Sequence, residues 1–571
     1  MKTRTNVDAR NREKDFLARA GALAWALPTD SWLYEDDCLV VVSKPAGMSV
    51  SGSEHDLLSR VRIILDFQAK STEGLGAPIH LDRDVSGVVA LAASKQANAS
   101  MSRQVQQHAL SWTFVVAVSC SFDLAPRGQR DVGVIRDRNG LMRASRGKSD
   151  KRVHLDYQVQ SRQGDRYLIE VRCADGPRAI RAVLASMGIA VAGDVVFKGP
   201  EASRLLLHAK QLTLLHPRHE GVVTYQAPEP WAFHAWMHRQ QRAEQLDTSS
   251  LAQALKEAAC KRFSLCARGL EAFRHVHGEA EGLRGLDIEW YGNHAVVWVE
   301  EQTCDRAVDG LLAVLGEWEP AGIYLKKRPK QASRASDGQG APLVFSHAVR
   351  GQNTPEPFSI LEDGLEYLVD LGQGLSTGLF LDMRRNRAWV RQNSHGAEVL
   401  NLFSYTCSFT VAAAAGGAKR TVSVDISKRS LEVGDRNLLK NGLKSPNHEF
   451  VCDDVRRWVE RANRHPHRFD MIIFDPPSFG TSRWGRFSVM RDYESLVSLT
   501  MRLLRDGGWL LACTNHRAVR MGKLQGWLQS AASAAGCRWT VLERASADLD
   551  FPVGLEGEPH LKAFRCRVAW K

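Results

Sequence analysis

From Phe358 onward, apolar strand-like runs alternate with helical segments, and few folds accept such a pattern. The runs are AEVLNLF, RTVSVDI, HEFVCD, DMIIFDPP and GWLLACT. Strands that read as near-continuous apolar stretches are buried on both faces, as happens when helices cover both sides of a parallel sheet. The alternation therefore predicts a doubly wound parallel sheet. Such sheets bind ligands in the crevice outside the carboxyl ends of their strands.

Polar residues fall at four of those ends. Asn401-Leu-Phe-Ser-Tyr-Thr-Cys407 is a small-residue turn leading into the alanine-rich helix VAAAAGGA, where backbone amides can approach a ligand closely. Asp425 ends TVSVD, and a carboxylate there can accept hydrogen bonds from both hydroxyls of a ribose. Asp454, with Asp453 as register alternative, is placed to reach an adenine amino group. Asp475-Pro-Pro-Ser-Phe479 ends MIIFD, and its rigid turn sets an acceptor oxygen beside an aromatic ring. Such a pair can hold a flipped base by edge and face. A lone aspartate at a strand end is ordinarily a helix cap or turn residue. Four polar ends in this order and spacing make a ligand edge the better reading. A nicotinamide enzyme is the runner-up, but no G-x-G-x-x-G follows a strand.

The rest of the chain divides by texture. At 571 residues it is too long for one core, and two to four domains are expected. Residues 1–30 read as an N-terminal extension. Residues 31–235 carry CLVVVS, TFVVAVS, YLIEVRC and GVVTY between turn residues, the texture of a mostly antiparallel α+β domain. The polar, helix-periodic stretch over 236–262 reads as a linker. A small α/β unit over 263–350 contains GLRGLDIEWYGNHAVVWVEE, a strand–turn–strand pattern turning at Gly292-Asn293. Residues 351–571 form the doubly wound domain.

The formal net charge of +12 suits a polyanionic partner without separating RNA from DNA or an anionic membrane. Lys326, Lys327, Arg328 and Lys330 are candidate phosphate contacts. The 11 cysteines are scattered and never form Cys-x-x-Cys, which argues against a zinc ribbon, an iron–sulfur cluster or a secreted disulfide framework. No metal is expected. With no signal peptide and no apolar run near the roughly 20 residues that span a bilayer, a cytoplasmic location is expected.

GLSTGLFLDMRRNR, NLFSYTCSF, VDISKRSLE, RNLLKNGL and FDPPSF together resemble the class I, S-adenosylmethionine (SAM)-dependent rRNA large-subunit methyltransferases of the RlmI and RlmK type. The resemblance covers roughly residues 355–571. It implies a Rossmann-like fold, SAM as methyl donor and 23S rRNA, free or in a ribosomal precursor particle, as partner. It also implies that Phe380, Asp382 and Arg384 help hold SAM, with Asn401, Phe403 and Tyr405 in its loop. Asp425 and Asp454 would take the ribose and adenine. Asp475 would sit at the target base, with Pro477 and Phe479 beside it. Cys407 stands where many members have glycine. The segment with GLDIEWYGNHAVVW and YLKKRPKQ resembles, more loosely, the family's small RNA-contacting domain.

A cytosine carbon is not nucleophilic, so its methylation needs a cysteine that adds to the ring. Guanine N7 already offers a lone pair, so orientation and charge stabilisation suffice. In RlmI-like enzymes the catalytic cysteine follows the late strand; here GGWLLACTNHR puts Asn515 at that place. Asn515-His516-Arg517 and TSRWGRFSVMRDY resemble the RlmK-like guanine N7 enzymes instead. Guanine N7 is the expected target, and Cys513, two residues from Asn515, keeps cytosine C5 as the alternative.

YEDDCLVVVSKPAGMSV, IHLDRDVSGVVALAAS, DGPRAIRAVLASMGIAVAGDVVF and SRLLLHAKQLTLLHP resemble the RluA-like pseudouridine synthases over about residues 31–235. The catalytic aspartate falls on Asp82. The tyrosine that packs on the target base becomes Phe114. The arginine that pairs with the aspartate aligns with Gly176, and Arg178, two residues on, is its candidate replacement. The expected architecture is a multi-domain α/β chain. It comprises an α+β pseudouridine-synthase-like domain, a small central α/β domain and a Rossmann-like methyltransferase. The N-terminal domain either isomerises uridine, making the enzyme bifunctional, or docks RNA. A non-catalytic RNA-binding assembly factor is the remaining alternative.

Overall fold

The computed structural model describes residues 23–53, 55–138, 140–145, 151–219, 221–240, 242–328, 346–355, 357–372, 374, 376–553 and 558–570. Lys330 and residues 1–22 of the expected extension lie outside them. Within them, no helix is long and apolar enough to cross a membrane.

The chain divides into two compact units. One contains the described parts of Met1–Arg268 with His275–Leu286 and Gln302–Glu319; the other contains Gly269–Arg274, Asp287–Glu301 and Pro320–Lys571. The region expected to be a separate small domain, 263–350, is thus shared between them. The expected linker is also packed structure. Residues Thr248–Ala267 form a 20-residue helix capped by Asp247, and Leu251, Ala254, Leu255, Ala258 and Ala259 are buried along it.

The first unit is built on a ten-stranded sheet. Its strands include β1 (Leu39–Lys44), β2 (Ser86–Ala92), β3 (Ser111–Ser119), β4 (Arg166–Arg172) and β5 (Leu207–Leu215). Strands β1 and β2 pair antiparallel, as do β3 and β4 and β3 and β5. Helix α1 (Pro177–Ser186) packs Ala179, Ile180, Val183 and Leu184 into the core. Its first turn is made by Pro177 at the position where a missing N–H costs nothing.

In the second unit, β6 (Leu286–Tyr291), β7 (His294–Glu300) and β8 (Gly322–Arg328) are neighbours in a five-stranded sheet. The turn between β6 and β7 falls at Gly292, whose φ is +57°.

The doubly wound sheet has seven strands. They are β9 (Glu398–Leu402), β10 (Arg420–Asp425), β11 (His448–Cys452), β12 (Phe469–Phe474), β13 (Leu504–Thr514), β14 (Cys537–Ala545) and β15 (Lys562–Trp570). Their order is β11-β10-β9-β12-β13-β15-β14. Every pairing from β11 to β13 is parallel, and the last two are antiparallel. The chain winds outward from β9 to β11, then returns to the other side of β9 as β12. That reversal opens the ligand crevice.

Candidate active site

Register aligns the strand ends. Leu402 pairs with Val424 on one side and Phe474 on the other, and Phe474 pairs with Ala512. The next residues out are Phe403, Asp425, Asp475 and Cys513, so two expected carboxylates share one row across the crevice. Asn515 follows two residues after Cys513.

Asp425 is half-buried. Its two oxygens accept one N–H each, from Tyr405 and from Ser427, both at 2.8 Å. A carboxylate has about four lone-pair sites, so half its accepting capacity stays open. Burial raises its pKa while these amides oppose the rise. Beside it Ile426 is 53% exposed, an apolar shelf next to an acceptor.

The turn after β9 is held in an uncommon backbone. Phe403, Tyr405 and Cys407 have φ of +57°, +48° and +59°, the left-handed region that disfavours side chains. Alternating this conformation with ordinary residues folds the backbone tightly before the helix Ser408–Ala415. Phe403 packs on Phe474 and Phe487. Tyr405 packs on Phe380, itself 44% exposed. The Cys407 thiol is buried, its pKa pushed up to about 12 by desolvation. A Cβ on Gly434 would stand 2.6 Å from its sulfur, so only glycine lets the helix Lys428–Lys440 pass there.

Asp475 is half-buried and accepts no hydrogen bond from a described residue. Burial, together with the charge of Asp382, pushes its pKa up to about 7. Asp382 is itself buried and likewise shifted upward, chiefly by desolvation. The charges of Arg274 and Arg387 oppose that shift, and the His560 ring lies 3.9 Å from its carboxyl. Two carboxyls that oppose each other's ionisation in a crevice favour a cationic guest. SAM carries a sulfonium cation and a ribose diol, so a set of carboxyls of this kind fits it.

A family model described as S-adenosylmethionine-dependent methyltransferase matches residues 330–564. YwbD of Bacillus subtilis (strain 168), provisionally named a ribosomal RNA large subunit methyltransferase, is 34% identical over 320 residues, 55% of this chain and 79% of that protein. The chain belongs to the SAM-dependent methyltransferases. Ribosomal RNA large subunit methyltransferase I of Yersinia pestis is 32% identical over 333 residues, 57% of this chain and 83% of that protein. A crystal structure of a provisionally assigned methyltransferase complexed with SAH superposes with a TM-score of 0.51 at 30% identity, covering 56% of this chain and 82% of that one. A second family model, RNA pseudouridylate synthase, matches residues 38–186.

Several expected SAM contacts of the methyltransferase turn out to be spent on the protein. Arg384 is 1% exposed; its guanidinium pairs with Asp550 at 3.1 Å and donates to the Ala272 carbonyl at 2.7 Å. It anchors the segment after Phe380 and offers no face to a ligand. The Asn401 amide donates to Thr410 inside the core. Asp454 caps the helix Val455–Ala462, pairs with Arg456 at 2.9 Å and accepts from Ser482 at 2.7 Å. Asp453 is held by Arg461. Neither acidic register alternative is free to meet an adenine in this state.

On the target side, Pro477 and Phe479 are exposed, Phe479 by 56%, with its ring 5.6 Å from His516. Ser478 Oγ donates to Asn515 Oδ1 at 3.4 Å, and the Asn515 side chain is exposed. Cys513 is wholly buried among Val399, Phe409 and Leu511, and its pKa stands well above the ordinary thiol range.

The expected phosphate contacts need correction. Lys326 is 0% exposed, its ammonium 5.0 Å from the Trp298 ring centroid, with burial pushing its pKa down to about 8. It cannot reach a phosphate. Arg328 stacks on the same indole and pairs with Asp287, while Lys327 is half-exposed.

In the first unit, Arg178 lies in the first turn of α1 and grips Asp82, with contacts of 3.0 to 3.3 Å. The partner missing at Gly176 is therefore supplied from two residues on. Lys44 steadies the Asp82 turn by donating to the carbonyls of Pro45, Met48 and Arg83. Phe114 does not behave as expected. It is 1% exposed and stacked on Trp112, so it presents no face to a base. Its place in the all-buried middle of β3 follows from strand alternation between two covered faces.

Proposed function

We propose that the second unit methylates a base of large-subunit ribosomal RNA, and that the base is a guanine taken at N7. The burial of Cys513 carries the choice. Cytosine C5 chemistry needs an accessible thiolate, and this sulfur is sealed in the core with its ionisation suppressed. The other thiol at this sheet edge that reaches solvent, Cys452, ends β11, three strand spacings or about 14 Å from β12.

Bound SAM supplies a methyl group on a sulfonium. The chain's residues do the remaining work of placing the acceptor. Phe479 offers a stacking face, Asp475 accepts from the guanine N1–H and amino group, and the exposed Asn515 amide donates to O6. N7 carries no proton, so no general base is needed. As the N7 lone pair forms the new bond, the departing sulfur takes the old bond's electrons and the purine gains positive charge. The Asp475 carboxylate stabilises that charge in a poorly hydrated site. Nucleoside mass spectrometry of rRNA from a deletion strain and its parent tests the reading. Loss of one 7-methylguanosine is expected; loss of 5-methylcytidine alone would overturn the choice of base.

The Asp82–Arg178 pair favours a second reading, that the first unit isomerises uridine. An Asp82→Ala allele should then lose one pseudouridine from rRNA while methylation persists. An unchanged pseudouridine map would leave that unit as an RNA-docking module.

A further inference from the structure

After the Asp475-Pro-Pro turn the chain makes a small hairpin, Phe479–Ser482 pairing antiparallel with Gly485–Ser488. Its backbone is fixed along its length: Phe487 is buried against Phe403, and beside the turn Ser482 Oγ donates to Asp454. Arg456 ties the hairpin down further through the Gly485 and Arg486 carbonyls. Its tip is open. Trp484 is 46% exposed, with the guanidinium of Arg457 3.8 Å and that of Arg483 4.6 Å from its ring centroid. Arg457, Arg483 and Arg486 form no ion pair with a described residue, unlike Arg456 and Arg491, which are held by Asp454 and Asp492.

An exposed indole costs solvation, and the two unneutralised guanidiniums over it repel each other, with Arg486 adding a third charge on the same hairpin. The cluster makes sense when an anion with flat groups covers it. Single-stranded RNA is such a partner, since bases stack on aromatic or guanidinium planes and phosphates pair with arginine. Duplex RNA hides its base faces and could use the charge alone.

We propose that the 479–488 hairpin, through Trp484 with Arg457, Arg483 and Arg486, binds an unpaired nucleotide flanking the target base. The hairpin starts at Phe479, and three strand residues carry its tip roughly 10 Å from there. The tip therefore serves a neighbour of the flipped base and selects substrates in which that neighbour is unpaired. This inference rests on the RNA reading above.

The test uses the full chain and two fluorescein-labelled RNAs of equal length, one a mixed-sequence single strand and one a perfect duplex. Trp484→Ala should weaken single-strand binding by at least about fivefold, the low end for loss of one stacked base. It should leave duplex binding, SAM affinity and melting temperature unchanged, and Trp484→Phe should restore binding to within about twofold. Arg483→Gln with Arg486→Gln should weaken both RNAs and flatten the salt dependence. Unchanged single-strand affinity in Trp484→Ala would overturn the proposal, as would an equal loss for both RNAs. Because binding is read without turnover, a wild-type protein that holds the single strand yet transfers no methyl to rRNA would sink the methylation reading and leave this one standing.

Discussion

Single residues decide the chemistry at the strand ends. Asp425→Ala removes an acceptor for two ribose hydroxyls, and hydrogen bonds to charged groups are each worth roughly 1.5–3 kcal/mol. SAM affinity measured by calorimetry should fall at least about tenfold, with RNA affinity unchanged. Asp475 adds a pH signature. Its folded pKa is raised to about 7, so the neutral acid predominates below that value and the carboxylate above it. If the carboxylate holds the guanine, kcat/KM for RNA rises as pH passes through about 7. Asp475→Asn should lower the plateau and abolish that limb; a rising limb that survives in the variant would place the titrating group elsewhere. The residue scale is also where sequence reasoning was least complete. The placing of Asp425 and Asp475 was legible because each carboxylate closes an apolar strand in a series of such strands, at the edge where ligands sit. Arg384 and Asp454 were not, because their partners Asp550 and Ser482 lie 166 and 28 residues away in sequence.

Elements explain which side chains can act at all. The alternation of strands and helices was readable from Phe358 onward, and the observed sheet follows it. In β13 every residue from Leu510 to Thr514 is buried, Cys513 among them, while Asn515, just past the strand end, is exposed. Cys513→Ser should therefore keep methyl transfer within about threefold of wild type, whereas loss of a covalent nucleophile costs orders of magnitude. Single-turnover methylation separates the two. The same logic exposes the misplacement of Lys326. YLKKR looks like a basic tail, yet it is the end of β8, where Tyr324 and Lys326 share a face and Trp298 is the residue opposite Lys326. A strand residue two positions from a buried tyrosine inherits its burial, whatever its charge.

At the scale of the whole molecule, the excess of +12 charges suits a polyanion, and the RNA reading names which one. Binding to rRNA should weaken with salt, log affinity falling against log salt by about 0.7 for each single-strand phosphate neutralised. A slope of several units is expected from titrations at fixed pH, and a slope near zero would remove RNA as the partner. The domain plan was half legible. Texture separated an α+β region from a doubly wound one, but Thr248–Ala267 looked like a connector because its surface is polar, though its other side is packed.

The division of the chain between its two units has a consequence for heredity. The backbone passes from one unit to the other at 268/269, 274/275, 286/287, 301/302 and 319/320. No single break in the gene parts the two units cleanly: a cut at 319/320 keeps the first whole but carries 269–274 and 287–301 of the second with it, and a cut at 268/269 does the converse. Fission of this gene at one point therefore leaves at least one unit incomplete.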